Sequence, residues 1–98
     1  MINKEDVKLG SQVRFIDTNY QTYLCRIVAI DSVDTDMPFL VSFGTNANNA
    51  PDGVRWRMSA KFIDSTNEDK NVETNLTYKN CDELAMWAIP EELELLEG

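Results

Sequence analysis

The side chains able to do chemistry in this chain are carboxylates, a few lysines and arginines, tyrosines, tryptophans and two cysteines, with no histidine at all. Lacking histidine, the chain has no access to serine–histidine or cysteine–histidine catalysis or to most zinc chemistry. Carboxylate pairs remain, as Asp82-Glu83 and Glu91-Glu92. Neighbouring side chains usually point apart, so both pairs read as solvated surface rather than as an acid and its base. The four glycines are scattered and form no phosphate-cradling loop. Asp31, Asp34 and Asp36 are close enough in sequence to hold a hard cation, yet the alternating acids, central glycine and distal glutamate of an EF-hand are missing. A charged turn is the better account of them. No metal, no cofactor and no catalytic residue is expected, and the chain reads as a non-enzyme, with carboxylate catalysis as the remaining alternative.

Binding is left, and charge limits its object. Seventeen acidic side chains face nine basic ones, a formal net charge of −8. Nucleic-acid affinity comes from Lys and Arg displacing counterions, so direct binding to nucleic acid is disfavoured and a basic protein partner is favoured. The imbalance is concentrated late: residues 1–49 carry six acids and four bases, residues 50–98 eleven and five. Candidate contacts in the acidic segments are Asp34, Asp36, Glu68, Asp69 and Glu73. Arg55-Trp56-Arg57, with Lys61 nearby, is the one basic and aromatic cluster. Such a cluster suits a phosphate or an acidic peptide, or else turns Trp56 to the core while the arginines neutralise acids across a sheet. Tyr20 and Tyr23 flank a polar turn, where Tyr20 suits a ligand contact and Tyr23 suits either contact or burial.

With 98 residues, 43% of them apolar, the chain has material for one core and one domain, residues 1–98. No run approaches membrane-spanning length, and the Met1-Ile2-Asn3-Lys4-Glu5 start lacks the apolar core of a signal peptide, so a cytoplasmic protein with no membrane partner is expected. Cys25 and Cys81 then read as reduced thiols, Cys25 packing as a small hydrophobe. Beyond a polar lead-in to Lys8, alternation predicts a strand from Gln12 to Asp17 and a longer one from Tyr23 to Ile30, joined as a hairpin. An acidic turn leads to a third strand, Phe39 to Phe43. A loop rich in asparagine follows, and alternation over Val54, Trp56 and Met58 predicts a fourth strand. Residues 64–82 read as a polar insertion, with Leu76-Thr77-Tyr78 as a short edge strand. Leu84 to Ile89 is apolar. Pro90 then opens a single helical turn before a last strand near Glu94-Leu95-Leu96, or else a terminal helix. No helix of ordinary length is expected.

Lys8-Leu9-Gly10-Ser11-Gln12-Val13-Arg14-Phe15 resembles the lysine-x-glycine-x-x-valine-x-phenylalanine opening of SH3-like barrels, the superfamily that includes Tudor-like and KOW-like domains. The tail from Trp87 to Leu96 resembles their closing strand, helical turn and final strand. The resemblance implies an all-β fold: a small SH3-like barrel of about five to seven strands carrying residues 64–82 as an insertion. It implies a binding module and nothing finer, because that superfamily hosts many functions. Small acidic chains of this kind suit a phage or mobile-element product that inhibits a host protein, in the extreme by a DNA-mimic surface whose carboxylates imitate phosphates. The alternative is a nucleic-acid-associated module working through Arg55, Trp56, Arg57 and Lys61.

Overall fold

The computed structural model describes residues 2–34, 36–54 and 56–96. Among these residues six strands, β1 (Gln12–Ile16), β2 (Thr22–Asp31), β3 (Phe39–Gly44), β4 (Val72–Thr74), β5 (Leu84–Ala88) and β6 (Leu93–Leu95), make one sheet, with one α-helix, α1 (Ala60–Glu68), between β3 and β4. All pairings are antiparallel, in the order β5-β3-β2-β1-β6, and β4 also pairs with β2. β5 and β6 end the order without meeting, so the sheet stays open and the expected barrel does not close.

β2 is the spine. Its ten residues extend for about 30 Å, nearly the 34 Å length of the whole molecule. One edge pairs with β3 from Arg26 onward. The other is shared in series, by β1 along residues 22–26 and by β4 along 29–31. An irregularity in register between Ile27 and Ala29 separates the two stretches. Such a bulge bends and twists a strand, which lets one strand serve successive partners.

Both faces of this spine are covered over part of its length. Phe39, Val41 and Phe43 of β3 join Val13, Phe15, Ile27, Ala88 and Leu93 in the larger core. Leu40, pointing the other way, joins Val28, Ala85, Met58 and Leu76 beneath Ile63 of α1. That two-sided burial is why Phe39 to Phe43 reads as an almost unbroken apolar run instead of an alternating one. Over its remaining outer face the sheet is uncovered, and Leu24 stands 68% exposed there.

Several expectations give way. The described residues of 54–58 form no strand: Arg57 makes an isolated bridge to Leu84, Val54 and Met58 are buried, and Trp56 is 37% exposed. The 64–82 segment is no polar loop. It holds the end of α1, β4, and a 3-10 turn at Tyr78–Asn80 where part of an edge strand was expected. The helix exists because the Ser59 side chain accepts a hydrogen bond from Phe62 N (3.2 Å), capping its first turn, while Ile63 and Thr66 bury one stripe on the sheet. The lead-in also contributes to the core, through Ile2 and Val7. At the other end the expected helical turn is present at Pro90–Glu92, followed directly by β6.

Candidate functional site

The sequence candidates fall into three separate places. The first is the far end of β2. There the β2–β3 turn is organised by its own aspartates: Asp31 Oδ1 accepts from Val33 N (2.9 Å) and Asp34 N (3.1 Å), and Asp34 Oδ1 from Asp36 N (2.9 Å) and Met37 N (3.0 Å). Short acidic side chains suit this role because they bond to backbone N–H groups two or three residues on. The turn is tied to the α1–β4 connection, where Ser32 N donates to Asn71 O (2.8 Å), and Glu73 pairs with Ile30. Asp69 in turn accepts from Asn71 N (2.9 Å), and Glu68 ends the helix beside it. Asp34, Asp36, Glu68, Asp69 and Glu73 are thereby gathered from two distant segments at one end of the molecule, together with Asp31.

Two residues absent from the sequence candidates complete this end. Val33 and Met37, 66% and 40% exposed, stand among the carboxylates. A signal for them existed: apolar residues inside a run of turn formers have no core to enter. Lys4 and Lys70 lie across an adjoining groove of about 350 Å³, and Lys4 Nζ donates to the Asp31 carbonyl (2.8 Å). Among the described residues the only ion pairs are Arg14–Glu94 (3.1 Å) and Arg26–Glu83 (2.8 Å), so none involves the acidic end.

The second place is the opposite end of β2, about 30 Å away by strand length. Asp17 organises the β1–β2 turn, its Oδ1 accepting from Asn19 N (2.8 Å) and Gln21 N (2.9 Å). Closing this turn forces Tyr20 to φ 62°, a left-handed conformation that costs a non-glycine residue about 1 kcal/mol, and leaves its ring 88% exposed. Tyr23 is half-buried, its ring edge-on to Phe43 at 6.5 Å and its hydroxyl donating to Gln21 Oε1 (3.0 Å). Partial burial, followed by the charges of Asp17 and Asp52, pushes its pKa up. Beside this turn lies a cleft of about 320 Å³, with Phe15, Val54 and Met86 in its walls and Asp17, Asp52 and Glu92 as its charged residues. Its acids come from three separate segments, and no sequence spacing could have joined them.

The third place holds what is described of the basic cluster; Arg55 lies outside the described residues. Arg57 Nη1 donates to two backbone carbonyls, Thr45 O (2.9 Å) and Asp82 O (2.8 Å), and so clamps the β3–α1 connection to the start of β5. Trp56 meets Phe62 of the helix edge to face at 4.4 Å between ring centres. These two candidates are thus bound into the fold.

One polar cluster went unread. Glu83 is 8% exposed, and its Oε1 accepts from Ser42 Oγ (2.6 Å) and Arg26 Nη2 (2.8 Å), its Oε2 from Asn80 Nδ2 (3.1 Å). The expectation of solvated surface for Asp82-Glu83 fails for the second residue, because Asp82 turns outward at φ 72° while Glu83 turns in. A hydroxyl 2.6 Å from a carboxylate is also the spacing of a nucleophile and its base. Here Ser42 is only 2% exposed and the carboxylate is already charge-paired, so the arrangement ties strands together. No group of three or more acids or cysteines is placed to hold a metal among the described residues, and no helix there is long and apolar enough to cross a membrane. No family model matches the chain, and no curated protein or solved structure matches it either.

Proposed function

We propose that the chain is a non-enzymatic protein-binding module that docks a basic partner on the acidic end of its sheet. The observation that carries this reading is the convergence of carboxylates from the β2–β3 turn and the α1–β4 connection around exposed Val33 and Met37, none of which joins either of the two ion pairs found among the described residues. Mixed surfaces of this kind combine two effects: apolar area drives association, while unpaired like charges steer a partner of opposite sign. In its finer form the partner is a host protein whose basic face ordinarily holds nucleic acid, and the carboxylates occupy it in place of phosphates, as an inhibitor of phage or mobile-element origin would. The SH3-like resemblance draws support from the strand order and from the 3-10 turn before the last strand.

A nucleic-acid-associated module draws less support. Arg14 and Arg26 are each neutralised by a glutamate, and Arg57 is engaged with backbone carbonyls. The test of the leading reading is affinity capture with the whole chain and with Asp34→Asn/Asp36→Asn. Asparagine keeps a side-chain oxygen for the turn bonds that Asp34 accepts, so the variant removes charge and leaves the turn folded. Recovery of one basic protein by the parent chain and its loss from the variant is the expected result. Duplex or single-stranded nucleic acid binding directly, with affinity falling steeply as salt rises, would overturn it.

A further inference from the structure

We propose that the cleft beside the β1–β2 turn receives a lysine or arginine side chain of a partner protein. The inference rests on the protein-binding reading and adds a second contact, at the opposite end of β2. Three observations converge on it. Phe15, Val54 and Met86 supply apolar wall, and every charged residue lining the cleft is a carboxylate: Asp17, Asp52 and Glu92. A cationic side chain matches that arrangement part by part, laying its methylene stem on apolar surface and holding its charged head toward the acids. The volume, about 320 Å³, is at the small end of ligand sites, which run from roughly 300 Å³ upward, and suits one inserted side chain.

The walls are also held in place before any partner arrives. Asp17 Oδ1 is fixed by two backbone N–H groups, and Glu92 Oε1 accepts from Ile89 N (3.2 Å). Each retains a second carboxylate oxygen for a ligand. Asp52 accepts no side-chain bond among the described residues and is the free charge of the three. On the same turn, the left-handed Tyr20 presents an almost fully exposed ring to whatever approaches.

The test is a titration of the isotope-labelled whole chain, followed by amide chemical shifts, with N-acetyl-arginine amide, N-acetyl-lysine amide and N-acetyl-norleucine amide. Norleucine keeps the alkyl stem and lacks the charge. Saturable shifts at Asn19, Gln21 and Gly53 with the two cationic probes, and none with norleucine, are expected. Asp52→Asn should weaken binding about threefold, the scale of one exposed charge pair, and Asp34→Asn/Asp36→Asn should leave it unchanged. No saturable shift, equal shifts with norleucine, or indifference to Asp52→Asn would overturn the assignment. If the titration fails while affinity capture still returns a partner that depends on Asp34 and Asp36, the cleft is wrong and the protein-binding reading stands. If capture fails while the titration succeeds, docking on the acidic end is wrong and the cleft keeps its specificity for a cationic side chain.

Discussion

Glu83 shows how much one side chain can carry. It joins β2 through Arg26, β3 through Ser42 and the turn before β5 through Asn80. Removing it would leave the buried Ser42 hydroxyl without its acceptor, the Gly44 N–H bond aside, and the half-exposed Arg26 without its counter-charge. Glu83→Ala should therefore cost about 3 kcal/mol, and Arg26→Ala, which leaves the carboxylate two other donors at a half-exposed pair, about 1 kcal/mol, both read from urea unfolding. Cys25 is a second residue with a definite expectation. Burial pushes its thiol from 9.0 up to about 12. At pH 8 a thiol reagent should label Cys81 alone in the folded chain and both cysteines once it is unfolded. The folded state favours the neutral thiol, so the stability Cys25 contributes is complete below about pH 9 and is lost as pH climbs toward 12. Cys25 as a small hydrophobe was legible from its apolar run. Glu83 was not, since burial of a charge depends on partners brought from positions 26, 42 and 80 by the fold.

Among the elements, the strands were the legible part. β1, β2 and β3 lie within a residue or two of their alternating or apolar runs, and the turn at Pro90 precedes β6 as its proline suggests. Helix α1 was hidden for three physical reasons. It is nine residues long, its position three residues after the cap is Phe62 instead of the glutamate or glutamine of a capping box, and only Ile63 and Thr66 are buried. Tertiary packing on Leu40 and Val28 holds it, a contact with no local sequence signature. Ser59→Ala should cost about 1 kcal/mol and Ser59→Asp little, as befits a helix cap, whereas Ile63→Ala should cost about 3 kcal/mol through the cavity it leaves. Hydrogen exchange should show the Ser59→Ala loss concentrated in α1 and β4, with β1 and β6 little changed.

At the scale of the whole molecule, β2 runs between two acidic places: the carboxylates around Val33 and Met37 at one end, the cleft beside the β1–β2 turn at the other. Net charge was readable from composition, but its placement was not, because Glu73 comes to the end of β2 that carries the aspartate turn only when β4 pairs with Ile30 and Asp31. An interface steered by these charges weakens with salt, and neutralising them removes that dependence together with affinity. The most direct test is the affinity of the purified, captured partner for the parent chain and for Asp34→Asn/Asp36→Asn/Glu73→Gln, measured at low and high salt. A parent affinity that falls as salt rises, and a variant that binds at least tenfold more weakly at low salt with a flattened salt dependence, is the predicted result. Equal affinities and equal salt dependence for the two chains would contradict it.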